Sequence, residues 1–325
     1  MLIKTQDAPG EDMNRNDSSI SLSIVIPVYN SERTIARLVD ELIAELNLQF
    51  RLEIILVNDN SRDRSEEACI SLHERHTGLV KFYSLSKNAG EHAAVMAGLN
   101  KTTADYVVIL DDDFQNPISE VSKMVSAAVR DGFDVVYSYY PKKEHSWFRN
   151  AGSWFNDKVA NILLQKPKDL YLSSFKVLNR FLVNEVVKYQ APFPYLDGLI
   201  LQVTDNIGRV EVEHHARRES RSGYTIKKLA ALWLNMFTNF SILPLRFSIF
   251  LGSVFAIMGL ALGVYTVIEK LSNPHLPVGF ASLFFTVSVF AGIQLISLGI
   301  IGEYVGRMFL TLNKKPQYTI KKTFE

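Results

Sequence analysis

The sequence predicts an α/β protein with a mostly parallel sheet, followed by two helices that are long and apolar enough to cross a membrane. Residues 22–140 alternate between short apolar runs and segments with helical periodicity, which is the order typical of a parallel sheet with helices on both faces. Residues 247–268 and 280–301 contain no charged side chain. At about 1.5 Å per residue, either segment spans a bilayer as a helix.

Each predicted strand is a largely apolar run, and each predicted helix begins after a polar turn. The strands are Leu22–Val28, Leu52–Val57, Leu79–Ser84, Tyr106–Leu110 and Asp134–Tyr139. The helices are Ser31–Leu46, Ser65–His76 and Glu91–Asn100. Ligands of parallel sheets bind beyond the carboxyl ends of the strands, so the polar residues that follow these strands are the candidate site.

Three consecutive carboxylates, Asp111, Asp112 and Asp113, end the fourth strand. Adjacent charges at the end of a buried strand repel one another unless a cation neutralises them. Hard divalent ions such as Mg²⁺ and Mn²⁺ take carboxylate oxygens and also bridge phosphates. The triplet therefore predicts a metal site for a phosphorylated ligand; a solvated acidic turn or helix N-terminus is the alternative.

The other strands end in polar loops that converge on the same edge. These loops are Pro27–Asn30, Asn58–Ser61 and Lys87–Gly90. The chain has no glycine-rich phosphate loop of the Walker or dinucleotide type. We therefore expect the metal and basic side chains to hold the phosphates.

The net charge and the cysteine content bear on which class of protein this is. The net charge is only +1 over 325 residues, which gives no indication of nucleic-acid binding. The single cysteine, Cys69, excludes an intrachain disulfide and fits a reducing compartment. We expect a buried thiol rather than a nucleophile.

The two apolar segments are joined by a few residues around Pro274, which predicts a transmembrane hairpin; a buried hairpin of a soluble core is the alternative. Basic residues flank the outer ends of the hairpin and predict that both termini face the cytoplasm. They are Lys227, Lys228, Arg246, Arg307, Lys314, Lys315, Lys321 and Lys322.

The expected organisation has five parts. Residues 1–21 form a polar, disordered tail without a cleavable signal peptide, and residues 22–224 form the cytoplasmic domain. Residues 225–245 mix lysines with large apolar residues, as in an interfacial amphipathic helix, although packing against the domain is also open. The membrane hairpin covers 246–302 and a cytoplasmic C-terminal tail covers 303–325.

The motifs resemble those of family 2 glycosyltransferases, in the subfamily that acts on polyisoprenyl phosphates. The resemblance covers roughly residues 22–320. It rests on Ser23–Asn30 with Glu32, Val57–Asp63, Leu110–Pro117 and the late arginine loop from Arg217 to Tyr224. It implies a GT-A (Rossmann-like) fold and a nucleotide-sugar donor, with UDP favoured. It also implies undecaprenyl or another polyisoprenyl phosphate as the acceptor, a location in the inner membrane, and a homotetramer.

The resemblance also implies roles for particular residues. Pro27, Tyr29, Asp59, Asp111 and Asp112 would bind the nucleotide. Catalysis would rest on Asp111 and Asp113, with Asp169 as the nearest candidate base, and Asp111, Asp113 and Gln115 would bind Mg²⁺ or Mn²⁺. Contacts with the acceptor phosphate would come from Arg149, Ser153, Arg217 and Ser222. The alternatives are a turn-capping role for Asp59, plain exposure for Gln115 and solvated surface charges for the arginines.

Three departures from the family pattern affect these roles. Asn58 replaces an acidic residue that is common in relatives, and Ser173–Lys176 replaces a segment that ends in Phe-Arg. Ser220 and Gly223 alter the glycine spacing of the late arginine loop.

The expected reaction is an inverting sugar transfer. A lipid monophosphate has a second pKa near ~6 and is a nucleophilic anion at neutral pH, so a strong base is not required. The alternatives are transfer to another membrane glycolipid or a polysaccharide and, in another class, a non-catalytic scaffold or flippase.

Overall fold

The computed structural model of the protein describes residues 20–140, 167, 170–213, 243–272 and 279–325. The chain divides into two compact units. One contains residues 1–223 and 314–325, and the other contains residues 224–313.

The first unit is an α/β domain. Its strands are β1 (Ser21–Val28), β2 (Arg51–Asn58), β3 (Val80–Leu85), β4 (Tyr106–Ile109), β5 (Val135–Tyr139), β6 (Lys176–Asn179), β7 (Ile207–Glu211) and β8 (Ile320–Phe324). Its helices are α1 (Ile35–Leu46), α2 (Ser65–Arg75), α3 (Glu91–Leu99), α4 (Ser119–Asp131), α5 (Arg180–Val186) and α6 (Leu196–Val203).

The strands form one sheet in the order β7-β5-β6-β4-β1-β2-β3-β8. β1 pairs in parallel with β2 and β4, β2 with β3, and β5 with β7. β6 and β8 run against their neighbours. The mostly parallel α/β fold predicted from the sequence is confirmed, and β1 to β5 lie within a few residues of their predicted bounds.

Helices cover the sheet through apolar faces. α1 buries a stripe with helical spacing, which consists of Ile35, Leu38, Val39, Leu42 and Leu46. α3 is built from small residues and approaches β1 so closely that a Cβ added at Gly98 would lie 2.4 Å from Val25 Cγ1. Cys69 on α2 is fully buried, as expected of a structural thiol.

Three strands were not predicted. β7 pairs in parallel with β5 at the end of the sheet opposite β8. β6 inserts antiparallel between β4 and β5. β8 comes from the expected C-terminal tail and pairs antiparallel with β3. It contains two adjacent lysines, a composition typical of edge strands that also looks like a charged tail in sequence. The second apolar helix extends past residue 302, so the tail is shorter than expected.

The second unit contains α7 (Leu243–Ser272) and α8 (Phe280–Leu312). Within the part of the chain that the structure describes, two segments are long and apolar enough to cross a membrane: Leu243–Tyr265, with mean hydropathy 2.2, and Val289–Leu312, with mean hydropathy 1.5. Neither apolar window is buried within the protein, unlike the core helix of a soluble protein. The expected interfacial segment 225–245 lies largely outside the described residues.

Candidate active site

Hydrogen bonds join the loops after β1 and β2. Asn30, in the left-handed region with φ 55°, donates its backbone N–H to Ser61 Oγ at 3.0 Å. Its side-chain oxygen accepts from the backbone N–H of Arg62 at 2.9 Å. The Ser31 N–H donates to Ser65 Oγ at 2.7 Å. The two loops therefore form one rigid wall at the carboxyl end of the sheet.

Asp59 connects this wall to the loop after β3. Its carboxylate accepts from the backbone N–H groups of Ala89 and Gly90 at 2.6 and 2.9 Å, so it holds the turn that precedes α3. Burial raises the pKa of Asp59, and the two N–H donors oppose that rise. The turn-capping alternative thus has a structural basis, although each oxygen keeps a lone pair for a further donor.

The acidic triplet lies directly after β4, where its position was predicted. Asp111 Oδ2 accepts from Ser174 Oγ at 2.5 Å, and Asp112 Oδ2 accepts from Ser31 Oγ. Asp113 Oδ1 accepts from the backbone N–H of Gln115 at 3.1 Å. These bonds hold the three carboxylates in different directions.

The triplet carries more negative charge than its surroundings neutralise. Burial, together with the charge of Glu91, raises the pKa of Asp111 to about 6. Burial, together with the neighbouring carboxylates, raises the pKa of Asp112 to about 7. Lys176 opposes the rise at Asp111, and the hydrogen bond from Ser31 opposes it at Asp112, but neither offsets the effect of burial.

The donor set fits a divalent metal completed by substrate. Among the described residues, no group of three or more His, Cys, Asp or Glu side chains is arranged to hold a metal ion. Mg²⁺ is commonly held by one or two carboxylates together with water and substrate phosphates. Asp111 and Asp113 supply two carboxylates, and the half-buried Gln115 adds an amide oxygen.

A second polar cluster lies behind the triplet and was missed by sequence reasoning. Lys176 pairs with Asp197, and both side chains are almost fully buried. Asp197 also accepts from Tyr137 OH at 2.9 Å. Burial is the main reason that the pKa of Glu91 is raised, with Lys176 opposing the rise. A carboxylate within the apolar run 196–200 was the signal in the sequence, because a buried charge requires a partner.

The structure therefore brings some predicted residues together. Pro27 and the 45% exposed Tyr29 lie at the end of β1, beside the loop of Asp59 and the triplet. The predicted acceptor residues and candidate base lie outside the described residues: Arg149, Ser153, Asp169, Arg217 and Ser222.

Comparison with known proteins identifies the family. The family model described as "Glycosyl transferase family 2" matches residues 23–187. The undecaprenyl-phosphate 4-deoxy-4-formamido-L-arabinose transferase of Edwardsiella ictaluri (strain 93-146) is 32% identical over 307 residues, which cover 92% of this chain and 93% of that protein. The enzyme of the same name from Serratia proteamaculans (strain 568) is 29% identical, over 95% of this chain and 96% of its own.

Among solved structures, the chain resembles glucosyl-3-phosphoglycerate synthase from Mycobacterium tuberculosis, crystallised with Mn²⁺, UDP and glucosyl-3-phosphoglycerate. The TM-score is 0.54 at 21% identity, over 73% of this chain and 85% of that chain. This likeness concerns the fold and agrees with a GT-A-like domain. The matches to the family model and to relatives over nearly their whole length show that this chain is a glycosyltransferase and belongs to glycosyl transferase family 2.

Proposed function

We propose that this glycosyltransferase moves a sugar, with inversion, from a UDP-sugar to a polyisoprenyl phosphate at the cytoplasmic face of the inner membrane. The observation that carries the proposal is a carboxylate-rich site at the end of β4 in a chain that also has two exposed apolar helices. The relatives that span more than nine-tenths of this chain are named as undecaprenyl-phosphate sugar transferases. Undecaprenyl phosphate is therefore the acceptor that we favour.

On the donor side, Pro27, Tyr29 and Asp59 would line the nucleotide pocket, and Asp111 and Asp112 would face the ribose and diphosphate. Asp59 is held between two backbone N–H groups, which fixes its orientation before the nucleotide arrives. The structural neighbour that contains UDP and Mn²⁺ supports UDP as the nucleotide.

Asp111, Asp113 and Gln115 would hold Mg²⁺ or Mn²⁺. The bound ion would neutralise charge on the departing nucleoside diphosphate. Ser174 orients Asp111 through the 2.5 Å hydrogen bond. Ser31 holds Asp112 toward the loop after β1, and we assign the other two carboxylates to the metal.

On the acceptor side, we assign Arg149, Ser153, Arg217 and Ser222 to the lipid phosphate. Cationic side chains bring two anions together and form charge-assisted hydrogen bonds with phosphate oxygens. The phosphate is already ionised at neutral pH, so the reaction needs orientation and charge compensation rather than proton removal.

Lipid labelling tests the proposal. Membranes containing the full chain are incubated with labelled UDP- and GDP-sugars, with and without added undecaprenyl phosphate, and the organic extract is counted. We expect label in the lipid fraction only when undecaprenyl phosphate and a UDP-sugar are both present. Label that appears in another glycolipid or in polysaccharide, whatever the supply of undecaprenyl phosphate, would contradict the proposed acceptor.

A further inference from the structure

The C-terminal strand β8 is fastened to the catalytic sheet by specific contacts. Ser84 pairs with Lys322, and Phe82 with Phe324, in the antiparallel ladder between β3 and β8. The Phe324 ring stacks on Phe82 with a centroid distance of 5.6 Å. A strand that follows the last apolar helix is thus an integral part of the sheet.

Lys322 extends this contact toward the loop after β2. Its ammonium lies 2.5 Å from Glu66 Oε1, and this hydrogen bond is the main reason that the pKa of Glu66 is lowered. The other carboxylate oxygen of Glu66 accepts from Asn58 Nδ2 at 3.2 Å and from Ser84 Oγ at 2.8 Å. One carboxylate therefore links the C-terminal strand to the end of β2.

Asn58 connects Glu66 to the candidate nucleotide loop, which is the loop after β2 that carries Asp59. It is fully buried, and its side-chain oxygen accepts from the backbone N–H of Ser61 at 3.1 Å. Ser61 in turn accepts from the Asn30 N–H. The arrangement also explains why an asparagine occupies this position: an aspartate would place a second carboxylate against Glu66.

We propose that Lys322 and Glu66 are positioning residues for the donor, because through Asn58 they hold the loop of Asp59 in the arrangement that binds the nucleotide. The inference rests on the proposed nucleotide role of that loop. This role makes the affinity for the donor depend on β8, which is far from the nucleotide loop in sequence. No motif in the nucleotide loop indicates this dependence.

Nucleotide affinity measured with the full chain tests the proposal. UDP and GDP are each titrated calorimetrically in the presence of Mn²⁺ against the purified protein in nanodiscs. For Lys322→Met we expect the Kd of the bound nucleotide to rise about fivefold, the most that a half-exposed ion pair usually contributes. Glu66→Ala should raise it by about tenfold or more, because the buried donors Asn58 Nδ2 and Ser84 Oγ lose the carboxylate that accepts from them.

The neighbouring lysine provides the matched control. Lys321 carries the same charge but lies at the irregularity of the β3–β8 ladder, between the paired residues Ile320 and Lys322, and it influences Glu66 only through its charge, without the hydrogen bond that Lys322 makes. Lys321→Met should bind nucleotide like the wild type, and Lys322→Arg should retain most of the affinity. The KM for the donor should rise in Lys322→Met while kcat stays nearly constant.

Two outcomes separate the failure of this inference from the failure of the proposed pocket. If Asp59→Asn weakens nucleotide binding but Lys322→Met lowers only the Tm, the strand is merely structural and the inference is wrong. If neither Asp59→Asn nor Lys322→Met changes the Kd, the nucleotide pocket itself is misplaced.

Discussion

Three adjacent carboxylates end β4, and hydrogen bonds give each of them a different orientation. Asp111 faces Ser174, Asp112 faces Ser31, and Asp113 bonds to the backbone of its own turn. The three aspartates therefore differ in the groups that they can bind, although their side chains are identical and consecutive in sequence. We expect Asp111 and Asp113 to hold the metal, and Asp112 to depend on the loop after β1.

The first prediction concerns the metal. Asp113→Ala should lower the transfer rate by at least ~100-fold, which corresponds to several kcal/mol of charge stabilisation. EDTA should abolish transfer, and Mn²⁺ or Mg²⁺ should restore it, in a labelled-lipid assay. Asp40→Ala, which removes an exposed carboxylate on α1, is the control. Full activity in the presence of chelator would contradict the metal assignment.

The second prediction concerns the base. Asp169→Asn should retain substantial turnover, because the acceptor phosphate is already ionised above ~6. Arg149→Ala and Arg217→Ala should instead weaken use of the lipid phosphate, by ~2–5 kcal/mol if the contact is buried. Rates are measured from about pH 5 to 8 with saturating donor. An inactive Asp169→Asn enzyme that still folds and binds donor would mean that a carboxylate base is needed.

The third prediction concerns His92, whose ring contacts Tyr195 edge-on at 5.1 Å. Burial lowers the pKa of His92 to about 4; Asp197 opposes this shift, and Lys176 adds to it. In the unfolded chain the pKa of this histidine is near ~6.5. Between the two pKa values, the unfolded chain therefore binds a proton that the folded protein does not bind. Stability should therefore fall by up to ~3 kcal/mol as the pH drops from ~6.5 to ~4.

The matched variant is His92→Phe, which keeps a ring against Tyr195 but removes the titrating group. Denaturation of both proteins is followed at several pH values in this range. The difference in their free energies of unfolding should change with pH in the stated direction. Parallel pH profiles would show that His92 does not titrate as described.

At the scale of elements, the packing of α3 against β1 depends on a missing side chain. Gly98→Ala would place a methyl group 2.4 Å from Val25 Cγ1 and should cost ~1–3 kcal/mol of stability through overpacking. The double variant Val25→Ala/Gly98→Ala removes the opposing methyl groups. Urea denaturation should show that the double variant loses less free energy of unfolding than the two single variants lose together. A loss equal to that sum would argue against the close contact.

The sequence predicted the strands whose signals are local. The apolar run 107–110 followed by three aspartates marks both β4 and the site, because burial and charge change abruptly within a few residues. β6, β7 and β8 could not be predicted in this way, since their pairing depends on chain segments far away in sequence. The same applies to the Lys176–Asp197 pair, which joins β6 to α6, and to the hydrogen bonds of Asp59 with the turn before α3, because each joins segments that are far apart in sequence.

At the scale of the whole molecule, the fifth prediction concerns membrane orientation. Basic residues flank the outer ends of the hairpin, so we expect both ends to face the cytoplasm. A reporter fused after Glu325 should report the cytoplasm, and a reporter inserted near Asn273 should report the opposite side. Fractionation and protease protection check both fusions. The same location for both reporters would contradict the hairpin.

The membership of β8 in the catalytic sheet has a topological consequence. Strands that precede α7 and the strand that follows α8 are hydrogen-bonded within one sheet, so we expect a chain that enters the membrane through α7 to return through α8 to the side from which it departed. This expectation does not depend on the charges of the flanking loops. We expect deletion of α7 or α8 alone to separate β8 from the sheet and to leave β3 as an open edge.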